Sequence, residues 1–302
     1  MITEKIDAIT HIPSQYMDKI CPAPKSVKIE LTAKCNYKCK FCASSKGLRD
    51  RREMDQDLFR RLCRQMADAG VEELGLFFLG ESFLCNWLED AILYAKKYFP
   101  YVFLTTNGSI CNEDRVRKCM ENGLDSLKFS LNYADEDQLT DVTQVPGKFF
   151  YDMIDNIKKT SRIRNQGNYR TKLYASYIEY DDEQKYKMMD LVNELRPYLD
   201  QVYGLPLYNH ADLMTKEEKD EGWKPTPGNK GRADAPVSPL PCWTCFTEGH
   251  ILWDGNLAAC CFGHEEKFHM GNLNEIGFME AWNSDKFQQL RLAHLKKVVT
   301  GT

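Results

Sequence analysis

Residues 26–42 read SVKIELTAKCNYKCKFC. The apolar segment Ser26–Thr32 predicts a buried β-strand, and three cysteines follow it with the spacing CxxxCxxC: Cys35, Cys39 and Cys42. Thiolates are the usual ligands of iron–sulfur clusters, so three of them can hold three irons of a 4Fe–4S cube. The fourth iron then lacks a protein ligand and can bind a small molecule. A structural zinc site needs four ligands and no histidine lies close by in sequence, but a zinc loop or accidental spacing is the alternative interpretation.

Short apolar segments alternate with helical patterns over the first two-thirds of the chain, which is typical of βαβ units and a parallel sheet. The predicted strands are Ser26–Thr32, Glu73–Leu79, Tyr101–Thr106, Ser126–Asn132, Thr171–Glu179 and Gln201–Tyr208. The predicted helices include Asp55–Ala69, Trp87–Phe99, Asn112–Asn122, Phe149–Arg164 and Asp182–Pro197. Six strands are fewer than a closed barrel has. The predicted fold class is therefore α/β, a partial (β/α)6 barrel with a small C-terminal β-hairpin plus helix module.

Composition narrows the class of protein. The chain has 302 residues and a formal net charge of −4, which gives no support for a nucleic-acid or membrane-surface partner. No apolar run approaches the ~20 residues that a membrane span needs. The N-terminus lacks the apolar core of a signal peptide, so we expect a cytoplasmic protein. In the cytoplasm, clustered cysteines bind metal or do redox chemistry more often than they form disulfides, whereas Cys63, on an apolar helical face, is predicted to be core.

The sequence pattern divides the chain into four parts. An N-terminal extension covers residues 1–25, the barrel covers 26–208, a linker or mobile loop covers 209–241, and an auxiliary module covers 242–302. The linker is predicted from its five prolines and many charges. In the last part, Asp254-Gly255 predicts the tight turn of a hairpin formed by residues 251–253 and 256–260. Helices are predicted at Glu275–Trp282 and Asp285–Lys297.

A second group of cysteines lies in this last part: Cys242, Cys245, Cys260 and Cys261. The sequence places Cys242 and Cys245 before the hairpin and the adjacent pair at its end. Neighbouring residues of a strand point to opposite faces, so both members of the pair are not expected to bind one metal centre. We therefore rank Cys242 and Cys260 first as metal ligands, then Cys245, and Cys261 last. The alternative is that this part binds zinc or no metal.

The first cysteine group resembles the signature of the radical S-adenosylmethionine (SAM) superfamily. Motifs similar to those of the family also follow the predicted strands: Leu79-Gly80-Glu81-Ser82 after the second and Thr105-Thr106-Asn107-Gly108 after the third. Leu79 and Ser82 depart from the family's Gly-Gly-Glu-Pro. The resemblance implies a 4Fe–4S cluster on Cys35, Cys39 and Cys42, and reductive cleavage of SAM to a 5′-deoxyadenosyl radical that takes a hydrogen atom from substrate. It also implies contacts to SAM from Phe41, Gly80, Glu81, Thr106, Asn107, Ser130 and Asn132.

The C-terminal part resembles the SPASM or twitch extension of the same superfamily. The order of its cysteines, the glycine that precedes Cys260 by five positions, and the Met270–Asn274 and Trp282 segments all match. This resemblance implies an auxiliary iron–sulfur cluster held by the second cysteine group. The family normally supplies further cysteines after the final helix, about where this sequence ends. We therefore expect either a truncated sequence or a cluster built otherwise.

The two resemblances together imply a radical SAM oxidoreductase or epimerase acting on a small polar substrate of the sugar or aminocyclitol type. Cys245 or Cys261 is a candidate hydrogen-atom donor, as thiols are in radical epimerases. An electron donor such as flavodoxin or ferredoxin is the expected protein partner. Residues Tyr177, Glu179, Tyr208 and His210 are candidates to line the substrate site.

Two alternatives come from other classes of function. One is a peptide-modifying radical SAM maturase. Only ~25 residues precede the first predicted strand, which is short for the peptide-binding domain that such maturases commonly carry. The other is a non-catalytic iron–sulfur electron carrier or a zinc-stabilised binding module.

Overall fold

The structure is a computed structural model, and it describes residues 1–47, 50–208, 226, 228–263 and 265–298. Nine strands of the described residues form one sheet. Its first six strands are β1 Ser26–Ile29, β2 Glu73–Gly75, β3 Tyr101–Thr106, β4 Ser126–Leu131, β5 Lys172–Glu179 and β6 Gln201–Pro206. They pair in parallel in chain order, as the predicted partial barrel requires. The α/β fold class is confirmed.

Helix α1, Ile2–Thr10, precedes β1. The helices that connect the six strands lie on one side of the sheet and are α2 Gln56–Ala69, α3 Leu88–Ala95, α4 Glu113–Glu121, α5 Glu136–Thr143, α6 Lys148–Gln166 and α7 Asp182–Leu195. Helix α2 shows how local sequence sets these bounds. The Asp55 carboxylate accepts hydrogen bonds from the first free backbone N–H groups, and Gly70 ends the helix in the left-handed region with φ 94°. Cys63 lies on the buried face of α2, as predicted.

The C-terminal hairpin extends the same sheet. Strand β9, Glu248–Ile251, pairs in parallel with β1, and β10, Asn256–Ala258, pairs antiparallel with β9. The predicted Asp254-Gly255 turn joins them, and Gly255 adopts a φ of 86° that favours glycine. Strand β11, His269–Asn272, completes the edge, and the helices α8, Phe278–Trp282, and α9, Asp285–Leu295, follow.

Part of the segment predicted as a linker is ordered structure. Residues 209–225 and 227 lie outside the described residues, but a short hairpin of β7, Gly231–Arg232, and β8, Ala235–Pro236, follows them. Arg232 is buried there and forms ion pairs with Asp7 and Asp234. The proline and charge content of this segment suggested a loop. The ion pair with Asp7 could not be read from the sequence, because Asp7 lies far away along the chain, on α1.

Helix α1 covers the N-terminal end of the barrel. Lys5 forms an ion pair of 2.7 Å with Glu73 at the start of β2, and its ammonium lies 3.8 Å from the centre of the Tyr101 ring. Gln201, at the start of β6, donates a hydrogen bond of 2.8 Å to the Thr3 hydroxyl. The N-terminal extension therefore closes the end of the barrel opposite the cysteine loop.

The two faces of the sheet differ in polarity. On β4, Leu127, Phe129 and Leu131 are fully buried on the face that the helices cover. Lys128 and Ser130 alternate with them and point to the inner, concave face. Register places Ser176 beside Ser130, and Tyr203 beside Ser176, on this inner face. The inner face is therefore polar, as a site for a polar ligand requires.

The strand register corrects one expectation about substrate residues. Tyr177 pairs in register with Leu131 and with Gly204, so it lies on the helix-covered face. Glu179 has the same parity as Tyr177 along β5 and lies on that face too. Neither side chain points to the inner face, because alternation along a strand is strict and β5 continues through both residues. His210 lies outside the described residues.

Candidate active site

The first cysteine group lies on a loop that leaves the C-terminal end of β1. Two backbone hydrogen bonds of 2.9 Å join it to the end of α5, from Lys38 N–H to Thr143 and from Lys40 N–H to Val142. Within the loop, the Ser45 hydroxyl donates to the carbonyl oxygens of Cys39 and Cys42, at 2.8 and 2.7 Å. These contacts fix the backbone that carries the thiols before any ligand is bound.

Gly80 lets the end of β2 approach this loop. A Cβ atom at this position would lie 1.9 Å from the carbonyl oxygen of Thr32. The next residue, Glu81, donates its backbone N–H to the Lys34 carbonyl oxygen at 2.8 Å. The Gly-Glu motif is thus in direct contact with the segment that precedes Cys35. Its glycine is required here by the close approach of two backbones.

The Glu81 carboxylate connects the ends of β2 and β3. It accepts hydrogen bonds of 2.8 Å from the Thr106 hydroxyl and 2.8 Å from Asn107 N–H, and one of 3.1 Å from Phe83 N–H. Glu81 is 3 % exposed. Burial raises the pKa of this carboxyl group, although the three hydrogen bonds oppose that shift. Its carboxylate is therefore held rigidly between two of the predicted cofactor-binding motifs.

A closed hydrogen-bond network joins the third-strand motif to the cysteine loop. The Asn107 amide donates to the Asn36 side-chain oxygen at 2.9 Å, and the Asn36 amide donates to the Ser109 hydroxyl at 2.9 Å. Ser109 in turn donates its hydroxyl to the Asn107 side-chain oxygen at 2.7 Å. Sequence reasoning missed Asn36 and Ser109. Their one signal was proximity to the motifs, since Asn36 directly follows Cys35.

The other predicted cofactor contacts lie nearby but in different surroundings. Phe41 is buried in a small apolar cluster with Val142, Ile178 and Leu207. Ser130 lies on the inner face, and the Asn132 carbonyl oxygen accepts a hydrogen bond of 2.6 Å from the Tyr180 hydroxyl. The structure thus brings the ends of β1 to β6 together at one edge of the sheet, where barrel active sites form.

The three thiols of the first cysteine group are buried and lie close to one another. Burial raises the pKa of Cys35 to about 12, and burial followed by the charges of Cys42 and Cys35 raises that of Cys39 well above its usual value. These mutual effects show that the thiols are neighbours, and cationic iron would reverse them. Three buried, neighbouring thiols on one loop suit three irons of a 4Fe–4S cube.

Two further observations support this fit. The buried Ser44 hydroxyl, between Cys42 and Ser45, has no hydrogen-bond partner among the described residues. The Arg51 guanidinium donates to the Ser44 carbonyl oxygen at 2.8 Å, which places a positive charge beside the thiols. The donor set of soft thiolates with a nearby cation suits an anionic iron–sulfur cluster.

The second cysteine group also comes together in space. The nearby Cys242 raises the pKa of Cys245 and of Cys260, in both cases after the larger effect of burial. Cys261 is affected by Cys260 and Cys242 in the same way. Two backbone donors fix the geometry: Phe262 N–H lies 3.4 Å from the Cys260 sulfur, and Gly263 N–H bonds to the Cys260 carbonyl oxygen at 2.9 Å.

The reason for ranking Cys261 last does not hold. Strand β10 ends at Ala258, whereas the sequence predicted a strand through Cys260. Cys260 and Cys261 lie in the turn that follows, so the alternation of strand faces does not separate them. The tight turn closed by Gly263 overrides the β pattern that the apolar residues suggested. All four cysteines of the group therefore remain candidate ligands.

Tyr208 lies at the boundary between the barrel and the second cysteine group. Its hydroxyl donates to the Gly231 carbonyl oxygen, and its ring centre is 6.0 Å from that of Phe262. The residue next to Phe262 is Cys261, whose sulfur lies 3.5 Å from the Asn229 amide. Tyr208 is therefore close to the second cysteine group.

An open groove of about 710 Å³ lies elsewhere, on the surface formed by β11 and the start of α9. Its lining includes His269, Asn272 and Lys286, and no cysteine. Its lining contains none of the predicted site residues, and we do not assign it to the active site. In the part of the chain that the structure describes, no helix is long and apolar enough to cross a membrane.

Sequence profiles of two families match the chain. The radical SAM superfamily profile matches residues 29–191, and the SPASM profile, described as an iron–sulfur cluster-binding domain, matches residues 242–300. The first match contains the cysteine loop and the ends of β1 to β5. The second contains all four cysteines of the second group.

Three curated relatives show the range of activities among similar proteins. A probable GTP 3′,8-cyclase of Methanocella arvoryzae is 28 % identical, and the match covers 64 % of this chain and 62 % of that protein. A PqqA peptide cyclase of Xanthomonas euvesicatoria is 32 % identical over 38 % of this chain and 31 % of its own length. An S-adenosyl-L-methionine-dependent 2-deoxy-scyllo-inosamine dehydrogenase of Niallia circulans is 22 % identical over 91 % of this chain and 87 % of its own.

Solved structures share the fold at lower identity. BtrN in complex with AdoMet and 2-DOIA superposes with a TM-score of 0.58 at 18 % identity, covering 92 % of this chain and 89 % of BtrN. Streptococcus suis SuiB bound to precursor peptide SuiA superposes with a TM-score of 0.68 at 15 % identity, covering 95 % of this chain and 68 % of SuiB.

The profile matches, together with the cysteine loop and the strand-end motifs around it, favour an enzyme over an electron carrier or a zinc module. The chain belongs to the radical SAM superfamily and carries a SPASM-type C-terminal extension.

Proposed function

We propose that this radical SAM enzyme oxidises or epimerises a small polar, hydroxyl-bearing substrate of the sugar or aminocyclitol type. Membership of the family implies a 4Fe–4S cluster and SAM as cofactors, and the SPASM extension implies auxiliary iron–sulfur chemistry. When bound, these groups supply a carbon radical that removes a hydrogen atom from the substrate. We assign the first cluster to Cys35, Cys39 and Cys42.

The protein's own contribution around SAM is positioning. Glu81, Thr106 and Asn107 are held together by the hydrogen bonds described above, so the ends of β2 and β3 form one rigid wall. We propose that backbone carbonyl groups of the Gly80 and Glu81 region receive the SAM ammonium group. We propose that Phe41, in its apolar cluster with Val142, Ile178 and Leu207, also contacts SAM, and that Ser130 and Asn132 do so at the end of β4.

The substrate class rests on the inner face of the sheet. The Thr105 hydroxyl is buried and has no hydrogen-bond partner among the described residues. Lys128, its neighbour in register, has the Tyr203 hydroxyl at 3.4 Å but no carboxylate within ion-pair distance in the described part of the chain. Buried polar groups are normally satisfied, so these atoms favour a ligand that carries several hydroxyl or charged groups. The dehydrogenase from Niallia circulans, matched over most of both chains, supports the same class.

Whether the second cysteine group binds a cluster or keeps a free thiol distinguishes oxidation from epimerisation. An auxiliary cluster on Cys242, Cys245, Cys260 and Cys261 supports a net two-electron oxidation. If one of these thiols is free, Cys261 is the better hydrogen-atom donor. It interacts with Lys28 on the inner face, whereas Cys245 is 1 % exposed and its sulfur contacts the Cys242 carbonyl oxygen at 3.3 Å.

A peptide substrate is the second candidate. The observation that favours it is the Xanthomonas peptide cyclase, whose identity is the highest of the three relatives but whose match covers only 38 % of this chain. For either substrate, we propose an external electron donor such as flavodoxin or ferredoxin.

The experiment is an anaerobic reconstitution with iron and sulfide, followed by dithionite and SAM. We expect 5′-deoxyadenosine and about eight irons per chain if both clusters form, or about four if only the first does. Adding 2-deoxy-scyllo-inosamine or a precursor peptide then compares the two substrate classes by mass spectrometry. A well-loaded protein that makes no 5′-deoxyadenosine would overturn the proposed function.

A further inference from the structure

His250 is a buried histidine on the inner face of the sheet. It lies on β9 and is in register with Lys28 of β1. Only 2 % of the residue is exposed, yet its Nδ1 atom has no hydrogen-bond partner among the described residues. An unpartnered buried nitrogen destabilises the free protein, so its presence points to a ligand that satisfies it.

Glu248 lies on the Nε2 side of the His250 ring. The Glu248 Oε2 atom is 3.4 Å from His250 Nε2, and Lys28 contacts the other carboxylate oxygen in a partly buried ion pair. A carboxylate beside Nε2 favours a proton on that nitrogen, which leaves a free lone pair on Nδ1. Burial, together with the positive charge of Lys28, lowers the pKa of His250 well below its usual value. The imidazole is therefore neutral at pH 7.

The ring is fixed beside the predicted SAM-binding motif. Its centre lies 5.2 Å from that of Phe78, which directly precedes Leu79-Gly80-Glu81. The same ion pair that orients Glu248 ties β9 to β1, the strand that leads into the cysteine loop. His250 thus combines a buried Nδ1 that has no partner among the described residues, a carboxylate beside Nε2 and a ring packed near Phe78, which suits an oriented proton acceptor.

We propose that His250 Nδ1 accepts the proton of a substrate hydroxyl group while the carbon that bears it is oxidised. This inference rests on the proposed function. Oxidation of an alcohol carbon to a carbonyl removes one hydrogen atom, one proton and one electron. Bound SAM would supply the acceptor of the C–H hydrogen atom, and an oxidised auxiliary cluster held by the second cysteine group would supply the acceptor of the electron. His250 Nδ1 takes the O–H proton.

The first test reads the tautomer directly and needs no turnover. Protein labelled with ¹⁵N in its six histidines is prepared anaerobically with its clusters oxidised, and long-range ¹H–¹⁵N spectra are recorded at pH 7. We expect His250 to show a protonated Nε2 and an unprotonated Nδ1, and we expect Glu248→Gln to abolish that preference. His294, whose Nδ1 accepts a hydrogen bond of 3.1 Å from Cys242 N–H, shares this tautomer and should be unaffected by Glu248→Gln. The signal is assigned by its loss in His250→Gln or, if that variant does not fold, by single substitutions at the other histidines. A protonated Nδ1 would overturn the proposal.

The second test separates proton removal from hydrogen-atom removal. With 2-deoxy-scyllo-inosamine as the probe, His250→Gln should still form 5′-deoxyadenosine, but the ratio of ketone to 5′-deoxyadenosine should fall by about a hundredfold. His11→Gln, at an exposed histidine, is the control and should leave the ratio unchanged. An unchanged ratio in His250→Gln would refute the role of His250. If the unsubstituted enzyme forms no 5′-deoxyadenosine, the proposed function fails, and the tautomer measurement still decides the state of His250.

Discussion

At the scale of single residues, Gly80 has no room for a side chain. A Cβ atom there would lie 1.9 Å from the Thr32 carbonyl oxygen and 3.0 Å from that of Lys34. Both are backbone atoms of the segment leading to Cys35, so a side-chain movement cannot relieve the contact. The alanine variant must therefore displace either the end of β2 or the cysteine loop.

We expect Gly80→Ala to lower the rate of SAM cleavage by at least about tenfold, because a shift of roughly 1 Å in positioned groups costs that much or more. The measurement is 5′-deoxyadenosine formation per iron after reconstitution. Gly277→Ala is the matched control, since a Cβ there meets nothing within 4 Å and the residue has a φ of −71°. Normal cleavage by Gly80→Ala would contradict the close approach of these two backbones.

The amide network of Asn36, Asn107 and Ser109 gives a second prediction at this scale. Asn36→Ala and Asn107→Ala should each weaken SAM cleavage, because each breaks the same link between β3 and the cysteine loop. The double variant should be little worse than either single variant, since neighbours in one network do not act additively. Fully additive losses in a double-mutant cycle would show that the two side chains act separately.

At the scale of secondary-structure elements, Arg291 of α9 anchors the C-terminal extension. Its guanidinium is fully buried and donates to the carbonyl oxygens of Cys245, Lys19 and Trp282, at 2.7, 3.0 and 2.7 Å. It also donates to the Asn283 side-chain oxygen at 2.9 Å and lies 4.5 Å from the centre of the Trp282 ring. One side chain therefore joins α9, the second cysteine group and the N-terminal extension.

Arg291→Met should lower the free energy of unfolding by about 3 kcal/mol, because it leaves several buried carbonyl groups without donors. Arg291→Lys should not restore the loss, since one ammonium group cannot reproduce the planar fork of donors. Denaturant unfolding under anaerobic conditions measures both. A change below about 1 kcal/mol in Arg291→Met would mean that water replaces the lost donors.

At the scale of the whole molecule, one sheet carries both cysteine groups. Strand β1 leads into the first group, and its parallel neighbour β9 begins three residues after Cys245 of the second. Hydrogen bonds between these strands fix the two groups relative to each other. Each group nevertheless has its own set of thiols, so we expect the two to be separable by substitution.

The triple alanine variant of Cys35, Cys39 and Cys42 should lose about four irons per chain and all SAM cleavage. Cys242→Ala and Cys260→Ala should spare cleavage but impair product formation. Cys63→Ala is the control, because that buried cysteine lies on α2, outside both groups. Iron analysis and 5′-deoxyadenosine formation are measured on the same samples. SAM cleavage by the triple variant would refute the assignment of the first cluster.

The sequence by itself determined the local features of the fold. The β1 pattern, the CxxxCxxC spacing, the Asp254-Gly255 turn and the α2 caps are set by residues within a few positions of one another. For that reason the six barrel strands, most of the barrel helices and the family resemblance were predictable, whereas α1 and α5 were not among the predicted helices. The ends of strands were less predictable from the sequence. Strand β10 stops at Ala258 because a turn held by Gly263 competes with the β pattern.

Only the tertiary structure decided which side chains meet. Lys28 and Glu248 are 220 positions apart, and Asn36 and Asn107 are 71 apart. No periodicity links such residues, because their contacts follow from strand order and register. Register also placed Tyr177 on the helix-covered face and His250 on the inner face, since a shift by one residue exchanges the faces of a strand. The candidate cluster ligands were therefore readable from local spacing, whereas the proposed proton acceptor depended on the parallel pairing of β9 with β1.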